Sequence, residues 1–386
     1  MSAEGAGTAL AAAERLAPMI AAAGDAIEAA RRLTPEIVEA LHEAGLYRLL
    51  LPRDLGGAEL DLAGFSRVIE ALARADGSTA WCVCQANGCA QSAGFLEPQA
   101  ARDVFGGPRA VLAWGPGRAQ VAEVSGGWRI SGEWSFASGC RQAGWLGCYV
   151  TLPDEAGRPR LAPDRTPLLR TFIFPASSAE ISDVWQVIGL KGTASDAYRV
   201  RDLVVPAALS FLRDAPKRTD YPLYRFTINS VYMAGFPGVA LGLARAMLAD
   251  FIALAGAKTP RLAKGALRED ALVQAQVAQC EARLAAARAF LQQTLEASWR
   301  AAAANQLAVE HRLANRLSST HAIHEARAVA DIVFHAAGAT AIYETHSLER
   351  RMRDIITVAQ HLQARQQHFA TVGQAMLGLE PDLAVT

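Results

Sequence analysis

Trp128-Arg129-Ile130-Ser131-Gly132-Glu133-Trp134-Ser135-Phe136-Ala137-Ser138-Gly139-Cys140 is the stretch on which the reading of this chain turns. Gly126-Gly127 just before it marks a tight turn, and Trp128, Ile130, Trp134 and Phe136 then fall on alternate positions. Side chains of a strand alternate between its two faces, so the pattern predicts a strand with an aromatic face. Outward from it, residues 146–152, 171–174 and 199–205 are apolar and β-branched enough for further strands, the last closed by Pro206. Residues 153–167 are rich in proline, charge and turn formers and predict a loop. A small antiparallel barrel or sandwich over 113–212 is the expectation.

Both flanks change period. Thr34-Pro35-Glu36 is a helix start, with a capping hydroxyl and proline at the first helical position. Ile37 and Leu41 share one face, and Gly45 ends that helix. Asp61 opens another helix, in which Leu62, Phe65, Val68, Ile69 and Leu72 follow the helical period. Residues 80–95 are small and apolar, suiting a closely packed helix. From about Tyr221 helices return; Val273, Val277, Leu284 and Leu291 hold one face, with breaks predicted near 301–305 and at Gly338. The fold class expected is mostly α with a central β-barrel or sandwich. Its parts are an N-terminal helical domain (1–112), a middle β domain (113–212) and a C-terminal four-helix-bundle domain (213–386).

Bulk properties narrow the function. The 386 residues carry 38 basic and 38 acidic side chains, so no net field points to nucleic acid or anionic lipid. Apolar runs such as 332–343 are interrupted by charge, and no membrane span is expected. The start is acidic early, at Glu4 and Glu14, without a basic segment and apolar block. The six cysteines have neither C-x-x-C spacing nor disulfide density. Reduced thiols in a cytoplasmic protein are the expectation.

Three segments, in order, resemble landmarks of the acyl-CoA dehydrogenase family. The strand quoted above, running on to Trp145, resembles the barrel segment beside the flavin ring. Gly189-Leu190-Lys191-Gly192-Thr193-Ala194-Ser195-Asp196, leading to Val204-Val205-Pro206, is similar to the family's G-x-x-G-T-x-S segment. Gly338 through Leu348-Glu349-Arg350-Arg351-Met352-Arg353-Asp354 resembles its basic helix. In the dehydrogenases a glutamate base follows the arginine-aspartate pair; counting forward from Arg353-Asp354 reaches His361-Leu362, and leucine is no base. Glu344, in Ile342-Tyr343-Glu344-Thr345, imitates that motif but precedes the landmark. The chain therefore resembles the two-component, reduced-flavin monooxygenase branch, which acts on phenols, indoles and related compounds.

That resemblance implies oxygenation of an aromatic or heteroaromatic small molecule through a C4a-hydroperoxyflavin. It further implies FMN or FAD supplied reduced by a separate flavin reductase, O2 as co-substrate, and a homotetramer. No G-x-G-x-x-G follows a strand and no Walker loop is present, so no built-in nicotinamide site is expected. Ser138 is the candidate contact to flavin N5, with Trp134 and Phe136 as apolar walls, Gly139 beside it and Trp114-Gly115-Pro116 as a flavin-side loop. His361 is the candidate base, its ordinary pKa of about 6.5 suiting proton exchange near neutrality. Seven residues after Asp354, it shares that residue's face if the helix is continuous. Thr193 and Ser195 either bond the flavin or stabilise a turn. Arg261 is placed on flavin phosphate across a subunit boundary, and Arg350, Arg353 and Asp354 act as structural support. His321, His324 and Glu325 lie on one helical side, but a solvated face fits them better than a metal site, so no metal is expected. The alternatives are an acyl-CoA dehydrogenase or nitroalkane-oxidase-like FAD enzyme, and a scaffold that has kept the fold.

Overall fold

A computed structural model describes residues 2–154, 158–161, 167–213, 217, 219–261 and 263–383. Six helices come first: α1 (Ser2–Ala22), α2 (Gly24–Ala30), α3 (Pro35–Glu43), α4 (Leu62–Ala75), α5 (Gly77–Ala90) and α6 (Pro98–Phe105). Strands follow: β1 (Leu112–Trp114), β2 (Gly117–Val124), β3 (Gly127–Ala137), β4 (Trp145–Thr151), β5 (Leu169–Pro175), β6 (Glu180–Ser182), β7 (Asp196–Pro206) and β8 (Ser210–Leu212). The chain then returns to helix in α7 (Ile228–Ala257), α8 (Ala271–Ala303), α9 (Val309–Ala337), α10 (Ser347–Val358) and α11 (Gln367–Met376).

Local chemistry sets the helix starts. The Asp61 carboxylate accepts from Gly64 N at 2.6 Å, and Asp76 accepts from both the amide and the hydroxyl of Thr79. Thr34 does start α3, with Pro35 at its first position, although its side chain makes no capping bond. Gly45 follows that helix with φ +68°, a conformation glycine adopts without strain. The expected C-terminal breaks fall where α8 gives way to Asn305 and where α9 stops at Gly338.

The strands form two four-stranded sheets, ordered β1-β4-β5-β8 and β2-β3-β7-β6. Of the antiparallel barrel or sandwich expected, the two sheets form the sandwich, with one exception to antiparallel pairing. No closed barrel is formed among the described residues, and β1 pairs with β4 in parallel. Nor is the 199–205 strand the last, since β8 completes the first sheet. The sheets face each other through aromatic contacts, Trp128 against Phe172 and Phe174 against Tyr198. Aromatic faces packed edge-on in this way bury large areas with specific geometry.

Alternation fails at one informative place. Between Trp134 and Ala137, β3 has one residue more than its partner β7. A bulge of this kind reverses which face the next side chain takes. Trp134 is fully buried and stacks on Tyr198, whereas Phe136, at φ +57°, is 61% exposed. The single aromatic face expected from the sequence is therefore two faces.

The long apolar helix α7 runs through the centre. By length and composition it could cross a membrane, which 332–343 could not, yet most of its apolar surface is buried within this fold. Gly238 and Gly242 let α4 approach its backbone: a Cβ there would meet Ser66 O at 2.8 Å and Glu70 O at 2.4 Å. The core helix and the sheets leave a hollow between α5, α7, the sheet edges and the turn after α10.

Candidate active site

That hollow is a cavity of about 470 Å³, within the range of small-molecule sites. Of the expected residues it gathers Trp114, Phe136, Ser138, Thr193, Ser195 and His361. Gly139 lies just outside its lining, at φ +75°, and donates its N–H to Thr193 O at 2.8 Å. Arg261 is not brought there; it is exposed in the turn after α7. Trp134, expected as a wall, is packed between strands instead.

The three hydroxyls form one directed chain. Thr193 Oγ1 donates to Leu190 O at 2.9 Å and lies 2.7 Å from Ser195 Oγ, which lies 2.7 Å from Ser138 Oγ. Each hydroxyl has one proton. With Thr193's committed to a carbonyl, Ser195 must donate to Thr193 and Ser138 to Ser195. At the far end Trp81 Nε1 donates to Ser138 Oγ at 2.9 Å. Ser138 thus has no proton to spare but keeps a lone pair. The sequence left Thr193 and Ser195 open between cofactor and turn; here both line the cavity, and Thr193 closes the turn through its bond to Leu190 O.

Backbone strain holds this turn in place. Leu190 and Ala194 both have positive φ, +50° and +43°. Non-glycine residues sit there only where their surroundings over-determine them. Leu190 O accepts from Trp185 Nε1 at 2.9 Å as well as from Thr193, and Leu190 N donates to Asp354 Oδ1 at 2.6 Å. Asp196, paired with Arg141, accepts the amides of Val184 and Trp185.

His361 faces the hydroxyls across the cavity, with Trp81 and Phe236 edge-on at 5.2 and 4.4 Å. It does not share a helical face with Asp354: α10 ends at Val358, and His361 caps the following short turn by accepting Gln363 N on Nδ1 at 3.3 Å. Asp354 instead points under the 189–196 turn. Burial, with help from Arg316 and Arg365, draws the His361 pKa down to about 4. At neutral pH the ring is uncharged. With Nδ1 accepting, its proton sits on Nε2, so the ring offers an N–H rather than a free lone pair. Asp354 is driven the other way, to about 7, chiefly by burial and then by Asp76.

Trp81, Tyr149, Trp185, Arg213 and Tyr232 also line the cavity and were missed from the sequence. One signal existed for Trp81, the only aromatic residue in the otherwise small-residue helix α5. His324 and Glu325 are engaged in packing rather than freely solvated, His324 with Ala364 O at 2.8 Å and Glu325 with Arg283.

Comparison with known proteins agrees with this geometry. Residues 8–95 match the acyl-CoA dehydrogenase N-terminal domain and residues 234–366 the acyl-CoA dehydrogenase C-terminal domain. An indole-3-acetate monooxygenase of Pseudomonas putida is 32% identical over 89% of this chain and 87% of its own length. The chain belongs to the acyl-CoA dehydrogenase family. Within the family it sits with the oxygenase components of flavin-dependent monooxygenases. An FADH2-dependent resorcinol hydroxylase oxygenase component from Rhizobium sp. (strain MTP-10005) is 27% identical over 89% of this chain and 88% of its own. The crystal structure of the HsaA monooxygenase from M. tuberculosis superposes with a TM-score of 0.85 at 26% identity, covering 97% of this chain and 98% of that one. Flavin fits the cavity by the chemistry of its donors. A reduced flavin ring carries N5–H, and Ser138 Oγ has a lone pair but no free proton.

Proposed function

We propose that this chain is the oxygenase component of a two-component system that hydroxylates an aromatic or heteroaromatic small molecule such as a phenol or indole, using reduced FMN or FAD from a separate reductase. The carrying observation is the Trp81–Ser138–Ser195–Thr193 chain opposite a neutral His361, in an aromatic-walled cavity whose described lining residues include no Asp or Glu. A dehydrogenase needs a carboxylate there to take the substrate's α-proton; Leu362 and Gln363 occupy the corresponding turn.

Reduced flavin, when bound, supplies the activation of molecular oxygen. The protein's own residues do the rest. Ser138 would accept the N5–H, its orientation held by Trp81 and Ser195. Trp114, Phe136 and Trp185 line the cavity and would keep water from a bound ring. His361 would present Nε2–H to a substrate oxygen; to act as the base expected from the sequence it would first carry its proton on Nδ1 in place of the bond from Gln363 N, leaving Nε2 free to accept the substrate proton. A cytoplasmic location is supported by six buried cysteines, none in a disulfide. A homotetramer built through the alanine-rich C-terminal helices remains part of the proposal.

The test supplies reduced FMN or reduced FAD from a generic reductase with NADH and O2, then follows ¹⁸O from O2 into indole and phenol products. Labelled hydroxylated product is expected. Acyl-CoA-dependent dye reduction without oxygen-dependent product would replace this reading with the dehydrogenase one.

A further inference from the structure

Arg213, at the boundary of two cavities, has no carboxylate partner among the described residues. Beyond Trp114 lies a second cavity of about 290 Å³, which shares Trp114, Arg213, Ile228 and Asn229 with the active site. The Arg213 guanidinium lies 4.3 Å from the Tyr149 ring centre and 5.7 Å from that of Trp114, and its Nε donates to Thr171 Oγ1 at 3.2 Å. Its two terminal nitrogens have no hydrogen bond to the described residues. Desolvation lowers its pKa from the ordinary arginine value, and the ionisable groups acting on it are Tyr149, Tyr232 and Cys89.

A desolvated cation is costly unless an anion completes its surroundings. Aromatic faces compensate only partly. Among the described residues no Asp or Glu lines either cavity, whereas Lys217 and Arg225 line the second one. Within it Ser92 Oγ is buried without a partner. The electrostatics of both chambers therefore favour an incoming anion.

We propose that Arg213 receives the carboxylate of an anionic aromatic substrate, whose ring lies in the active-site cavity and whose acid arm reaches the waist between the two chambers. This rests on the function proposed above and narrows its substrate class to aryl or heteroaryl carboxylic acids. The forked terminal nitrogens suit bidentate binding of a carboxylate.

The experiment measures binding of indole and naphthalene acetates against their neutral primary acetamides, with the flavin-loaded protein kept anaerobic. Wild type should bind the acetates about tenfold tighter or more, as expected for hydrogen bonds to a charged group. Arg213→Gln should bring acetate and acetamide to similar affinity, and Arg213→Lys should keep part of the preference. An absent preference in wild type, or one surviving in Arg213→Gln, would overturn the proposal. So would loss in Arg213→Gln of discrimination between FMN and riboflavin, because the arginine would then be reading the flavin phosphate. Should Arg213→Gln fail to fold, the wild-type comparison still decides. Oxygen-dependent turnover of neutral indole by wild type is scored separately: its absence, with no acid turned over either, counts against the proposed function, while its presence without acid preference counts against Arg213 alone.

Discussion

Asp354 Oδ1 accepts the backbone N–H of Leu190 at 2.6 Å, joining residues 164 positions apart. The contact ties the basic helix α10 to the turn that carries Thr193 and Ser195. Arg353 strengthens the joint by donating to Ile188 O at 2.7 Å and pairing with Glu28 and Glu349. The hydroxyl chain is thus positioned by a buried acid from a distant part of the sequence.

Asp354→Leu would leave the Leu190 amide buried and unpaired. A loss of about 1–3 kcal/mol is expected, measured by urea unfolding. Asp354→Asn keeps an acceptor oxygen and should be tolerated.

The same pair of proteins tests the raised pKa. Folding lifts Asp354 from 3.8 to about 7, so the native state holds its proton more tightly than the unfolded state does. Its contribution to stability is present below pH 3.8 and lost as pH rises through 7. The Tm of Asp354→Asn relative to wild type should therefore climb between pH 4 and 8. A pH-independent difference would contradict the assignment.

His361 carries the opposite sign. Its folded pKa is near 4, below the ordinary 6.5, so its contribution to stability is intact above 6.5 and is lost as pH falls towards 4. The neutral ring is the working form, so the pH profile of kcat/KM should show no limb attributable to His361 near 6.5. His361→Asn should lower kcat for phenolic substrates. A histidine limb at 6–7 that disappears in the variant would show that the pocket does not desolvate the ring.

Trp81→Phe removes the one donor that fixes Ser138 while keeping an aromatic ring against Phe236. Without Trp81, Ser138 still donates to Ser195, but no donor holds its oxygen in place to accept from the reduced N5–H. The preference for reduced over oxidised flavin, measured anaerobically by fluorescence titration, should shrink, and more hydrogen peroxide should escape per product formed. An unchanged preference would mean that Trp81 does not position Ser138 at N5.

The sequence made the order of helices, sheets and helices legible because hydrophobic periods of 3.6 and 2 are local properties. Ser138, Thr193, Ser195 and His361 were legible through ordered motifs. What the sequence hid depends on contacts far along the chain. Nothing near Trp134 announces the extra residue that turns Phe136 to the other face; the bulge exists only relative to β7. Arg213 reads as an ordinary cation after a short strand, and its place between two cavities with no carboxylate among their described lining residues appears only when both are assembled. The continuous helix drawn from Asp354 to His361 failed because Gln363 N finds its acceptor in the histidine ring, capping a new turn.

Phe136 offers a test in which stability and function move apart. Its φ of +57° lies where an L-residue with a side chain costs about 1–2 kcal/mol, and its exposed ring gains little from burial. Phe136→Gly relieves that cost, although the unfolded chain gains about 0.5–1 kcal/mol of entropy relative to alanine. Net stability should stay within about 1 kcal/mol of wild type. Phe136→Val places a β-branched side chain at the same angle and should unfold more easily than Phe136→Gly by about 1–2 kcal/mol. Both variants remove the ring that meets Trp185 edge-on at 5.9 Å, so both should bind reduced flavin more weakly and release more peroxide. Equal stability of the two variants would show that the bulge relaxes when the phenyl ring is gone. Tight flavin binding in Phe136→Gly would show that Phe136 is not part of the cavity wall that keeps water from the ring.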